Sequence, residues 1–109
     1  MTADRRGEEA DGTFGVLDPK LTIYALANGM DLLKEGDARR LEWYRDGSDR
    51  GILIERAGDG SVSIHAVTWK RSDPSSERRL QHHAAVASEE LAASLSKILD
   101  GALDAANGL

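Results

Sequence analysis

A chain of 109 residues has room for one core, since compact domains cluster near roughly 100 to 150 residues. With about 40% hydrophobic and 30% charged residues its usage is that of an ordinary globular domain, and its zero cysteines exclude disulfides and thiolate metal sites. The net charge of −5 is uneven: residues 1–38 carry four basic and eight acidic side chains, 39–79 nine and seven, and 80–109 one and four, so a middle surplus of two is a thin basis for binding phosphate.

Residues 1–15, "MTADRRGEEADGTFG", are polar and aperiodic and lack the apolar centre of a secretion signal; they are expected to form a disordered acidic tail ahead of a single α+β domain over 16–109. No apolar run approaches the roughly 20 residues of a membrane span, so no membrane contact is expected and the cytoplasm is the default location.

Asp18 and Pro19 read as the cap and first residue of an N-terminal helix. Leu21, Tyr24, Ala25 and Asn28 fall on one stripe of it, with Ile23, Leu26, Ala27 and Met30 beside them. Asn28-Gly29 can end this helix, or it can continue into "MDLLKEG" with Gly36 as a second stop. "RRLEWYRDG" admits a helix capped by Asp37, but its aromatics and the following turn cluster "DGSDRG" favour a strand. Strands are expected at about 51–57 and 61–70, then a turn at Asp73-Pro74-Ser75-Ser76 and a fourth strand through Leu80, His82, Ala84 and Val86, unless Asp73-Pro74 opens a long helix. Ser88 caps a C-terminal helix with Leu91, Leu95, Ile98, Ala102 and Ala106 at helical spacing. The expected architecture is an N-terminal helix, a three- to four-stranded antiparallel meander and a C-terminal helix.

The hairpin "GILIERAGDGSVSIHAVTW" sets the functional question. A two-residue loop Asp59-Gly60 would pair Ile54 with His65, whereas a three-residue loop with Gly60 left-handed pairs Ile54 with Ile64 and Ile52 with Ala66. The second register is preferred because it gathers Ile52, Ile54, Val62, Ile64 and Ala66 on one face. Leu53, Glu55, Ser63, His65, Val67 and Trp69 then share the other, which is too apolar to be plain solvated surface. The N-terminal helix, a second copy of the chain or a small ligand could cover it.

Enzymatic and metal readings have little in their favour. Adjacent His82 and His83 point to opposite faces of a strand, so one metal ion would have to join one of them to His65 and Glu55. "GDGSVS" joins two strands rather than a strand and a helix, and no serine sits in a nucleophile elbow. Trp43, Tyr44 and Trp69 interleave with arginines, as in a sheet that stacks single-stranded bases, but Glu42, Asp46, Asp49 and Glu55 among them point to cross-strand ion pairs. The sequence therefore points to a non-enzymatic domain, without cofactor or metal, that binds a protein, most simply a second copy as a homodimer. Trp43, Leu53, Val67 and Trp69 are the expected contact residues, with His65 as a pH-sensitive neighbour. A small molecule over Trp69 and His65, or weak binding of a single-stranded nucleic acid, are the alternatives.

Overall fold

The computed structural model describes residues 12–109. Of the tail expected over residues 1–15, residues 1–11 lie outside the described residues and residues 12–15 belong to the first helix. In chain order the elements are α1 (Gly12–Asn28), β1 (Asp31–Glu35), β2 (Ala38–Arg45), β3 (Ser48–Arg56), β4 (Val62–Lys70), β5 (Asp73–Val86), α2 (Ser88–Ala93) and α3 (Leu95–Asn107). This is the expected α+β class, built on a purely antiparallel meander. Its sheet has five strands in the order β1-β2-β3-β4-β5, rather than three or four.

The extra strand is β1. Gly29, with φ of +68°, terminates α1, and the Met30 N–H closes back onto the Ala25 carbonyl at 2.9 Å, six residues around as in a Schellman ending. "MDLLKEG" therefore leaves the helix and pairs with β2, while Gly36 at φ +58° serves the β1–β2 turn instead of a helix end. At the other end, α1 runs through Asp18-Pro19 rather than starting there. Phe14 and Leu17, one turn earlier, are buried in the core, and their burial outweighs the rung lost where Pro19 offers no N–H.

Two hairpin turns set which side chains look inward. Asp46 and Gly47 both have positive φ, 52° and 82°, the backbone of a two-residue type I′ turn that pairs Leu41 with Ile52 and Trp43 with Arg50. Gly60 is left-handed at φ +87°, and Ile54 faces Ile64 while Ile52 faces Ala66, the register expected from the grouping of β-branched residues. Leu41, Ile52, Ile54, Val62 and Ile64 consequently form one apolar face, and all three helices pack on it through residues such as Leu17, Leu21, Leu91 and Leu99.

β5 is longer than the strand read from Leu80 to Val86, because it absorbs Asp73-Pro74-Ser75-Ser76. It is an edge strand with irregular pairing to β4, where a proline's missing donor costs no central ladder bond. Ser76 repairs the gap: its hydroxyl accepts the Lys70 N–H at 2.8 Å and donates to the Asp73 carbonyl at 2.6 Å. The C-terminal segment, read as one helix, is divided at Ser94, whose backbone (φ −123°, ψ 31°) leaves the helical region. Ala87 rather than Ser88 stands at the start of α2 and supplies no side-chain cap. The far end of α3 is clamped by the β2–β3 hairpin, since the buried Arg50 donates to the Ala106 carbonyl at 2.6 Å and the Trp43 indole N–H to Asn107 at 3.0 Å.

Candidate interaction surface

Among the described residues, no helix lies on the sheet's second face. Antiparallel pairing aligns on it Arg40 with Leu53, Leu53 with His65, Gly51 with Val67 and Asp49 with Trp69. Four of the five expected contact residues, Leu53, His65, Val67 and Trp69, are therefore brought together. Trp43 is not: it shares the parity of Leu41, lies on the helix-covered face and packs against the core. Alternation along "ARRLEWYR" already separates Arg39, Leu41 and Trp43 from Arg40, Glu42 and Tyr44, so its placement follows from Leu41 being core.

The apolar centre of this face is covered by side chains of the sheet itself. Trp69 lies across the neighbouring strand onto Gly51, so close that a Cβ at position 51 would stand 3.5 Å from the indole and 3.1 Å from both the Leu41 carbonyl and a Val67 methyl. The Arg40 guanidinium sits 4.9 Å from the centre of the Trp69 ring, within cation–π range. From there it donates to Glu42 at 2.8 Å and to Glu77 at 3.2 Å, and Glu77 in turn accepts from Arg79 at 2.7 Å. This chain of charges runs from β2 to β5 over the two strands between them, and beneath it Leu53 and Val67 are 3% and 0% exposed. Towards the β2–β3 turn a second stack places Arg71 4.8 Å from the Tyr44 ring, while Arg71 holds Asp49 with two bonds of 2.6 and 3.0 Å.

The same network sets the protonation of its members. Burial acts to neutralise Arg40, but the hydrogen bond to Glu42 and the charges of Glu77 and Glu42 outweigh it and hold the guanidinium above its ordinary value. Burial likewise acts to raise Glu77, and the bonds and charges of Arg79 and Arg40 prevail, holding its carboxyl below the usual range. A depressed folded-state pKa contributes stability that is fully present above the unfolded value near 4.5 and is lost as pH falls through the folded one. Glu77→Gln should therefore flatten the acid limb of stability as pH falls below about 4.5 in urea titrations, whereas an unchanged limb would mean that the network adds nothing.

His65 lies between Leu53 and Gln81 in the register, with both ring nitrogens buried and without a hydrogen-bond partner among the described residues. His82 and His83 instead meet edge to face at 4.7 Å on β5, and His82 packs against Gly101 of α3, on the helix side of the sheet. Burial, and then the charge of His83, hold the His82 imidazole below its ordinary value. The histidines do not converge with Glu55, and among the described residues no group of three or more histidines and carboxylates is placed to hold a metal ion. No helix among the described residues is long and apolar enough to cross a membrane.

Compared with protein-family models, curated proteins and solved structures, the chain matches none. Arg40, Tyr44 and Glu77 are among the residues of this face that sequence reasoning left out. Arg40 and Tyr44 were readable as the alternate positions of "RRLEWYR", but Glu77 joins them only through the irregular pairing of β5.

Proposed function

We propose that this chain is a non-enzymatic protein-interaction domain that binds a second copy of itself through the sheet face opposite α1, α2 and α3. The observation that carries this is the one-sided placement of α1, α2 and α3, which leaves a face centred on Trp69 with no helix over it among the described residues. Support comes also from the kind of side chain displayed there. Tryptophan, tyrosine and arginine are the residues that most often dominate binding energy, and here they stand as two stacked pairs, Arg40 on Trp69 and Arg71 on Tyr44. Tyr44 is 57% exposed, so its ring is available to a partner without any rearrangement. The face also carries both signs of charge, which a twofold contact can set against each other.

Sedimentation equilibrium at tens to hundreds of micromolar tests the proposal. The wild type should self-associate reversibly, and Tyr44→Glu and Trp69→Ala should each weaken the sheet-face contact at least about tenfold, some 1.4 kcal/mol. Tyr44→Glu is the decisive variant because its exposed position leaves the fold intact. A wild type that stays monomeric, or a dimer indifferent to both substitutions, would overturn the assignment.

A further inference from the structure

We infer that the outer ridge of α1 is a second self-contact, separate from the sheet face, where two copies pack α1 against α1 about a twofold axis. α1 carries large apolar side chains on two opposite sides, with Asp18, Lys20 and Thr22 between them. One side, with Phe14, Leu17, Leu21 and Tyr24, is buried in the core, but the opposite side carries Val16, Ile23 and Leu26 at 55%, 68% and 78% exposure. Residues 16 and 23 lie two turns apart on one stripe and Leu26 lies one turn further along its flank, so the three form a continuous ridge. The outward side of a helix that packs on a core is ordinarily polar, so a second apolar side calls for a second partner.

Beside this ridge runs a groove of about 820 Å³ between α1, α2 and the start of α3. Small side chains, Ala27, Ala92 and Ala93, line it next to Ile23 and Leu95. The same surface thus offers both a ridge and a hollow, and a contact in which each copy inserts its ridge into the other's groove needs no second kind of surface. The groove is self-complementary in charge, which fits a second copy as the occupant. The chain as a whole carries −5, which opposes self-association, yet this groove is lined by Lys20 and Lys97 as well as Asp100. Asp100 is already oriented by the Tyr24 hydroxyl, which donates to one of its oxygens at 2.7 Å and leaves the other open to a lysine from across the axis. The phenol itself is pushed well above its ordinary value, by burial first and by Asp100 and Asp104 next, so it stays a donor throughout the neutral range.

The test separates this contact from the sheet face. Sedimentation equilibrium is run on the full chain as wild type, Tyr44→Glu, Leu26→Asp and the double variant, with far-UV circular dichroism to confirm folding; Leu26 and Tyr44 are exposed enough for both substitutions to be borne. The wild type, with both contacts, is expected to associate beyond the dimer, Tyr44→Glu to stop at a dimer held by α1, and the double variant to be monomeric, with dissociation constants raised at least about tenfold at each step. A Leu26→Asp monomer beside a Tyr44→Glu dimer of wild-type strength would support the α1 contact and remove the sheet-face one. Monomeric Tyr44→Glu at every concentration, or a dimer in the double variant, would overturn the α1 contact.

Discussion

Ile52→Ala should lower the free energy of unfolding by about 2–5 kcal/mol, a large share of the roughly 5–15 kcal/mol that such a domain has in total. Ile52 is fully buried on β3, the central strand, paired between Leu41 and Ala66 on the face the helices cover. Helices and sheet are both rigid there, so the cavity left by three missing carbons stays largely open. Leu53, the next residue, is almost as buried at 3%, but its cover is the flat layer of Trp69, Arg40 and their ion-paired partners rather than a helix. Those long side chains can settle into a void, and Leu53→Ala should cost near the low end of the same range, about 2 kcal/mol. Urea unfolding of the two variants decides the matter: equal losses would mean that the second face is as unyielding as the helical core, which would contradict a surface built to accept a partner.

Asp18→Ser should be as damaging as Asp18→Ala, about 1–3 kcal/mol, although serine is among the best helix-capping residues. The expectation follows from what Asp18 touches. Arg39 on β2 is 6% exposed and stacks 4.1 Å from the centre of the Phe14 ring. Its guanidinium donates to both oxygens of Asp18, at 2.8 and 3.1 Å, and its remaining reach goes to the Gly36 and Ala38 carbonyls at 3.0 and 2.8 Å. Removing the carboxylate leaves a buried cation held only by neutral carbonyls, and this two-toothed bond is the polar tie between α1 and the sheet. Partial exposure of Asp18, 21% for its side chain, keeps the cost below that of a fully buried pair. If Asp18 acted as a cap, serine would restore stability to within a few tenths of a kcal/mol of wild type, and thermal or urea unfolding would show it.

Those two residues also mark where the sequence was readable and where it was not. Periodicity served well wherever a face is buried by its own neighbours: the hairpin register about Gly60 followed from grouping Ile52, Ile54, Val62 and Ile64, and the core stripe of α1 was visible as Leu21, Tyr24 and Ala25. Local rules failed where tertiary burial competed with them. Asp18-Pro19 has the form of a helix start, but Phe14 and Leu17 extend the helix past it to reach the core. Leu32, Leu33, Lys34 and Glu35 suit a helix, yet Gly29 turns the chain and β2 offers a ladder. Trp43 was grouped with Trp69 by residue type, when its parity with Leu41 placed it on the opposite face. The bond from Arg40 to Glu77 spans 37 positions and rests on an irregular edge strand, so no spacing rule announces it.

The most direct measurement of the sheet-face contact uses the two indoles as built-in reporters. Trp43 is bonded to Asn107 beneath the helices, and Trp69 lies on the open face under Arg40. In a proton–nitrogen correlation spectrum recorded from tens to hundreds of micromolar protein, the Trp69 indole signal should shift or broaden with concentration while that of Trp43 holds still. Two indole signals that both stay fixed while the protein is shown to dimerise would place the contact elsewhere, and a protein that remains monomeric throughout would contradict self-association altogether.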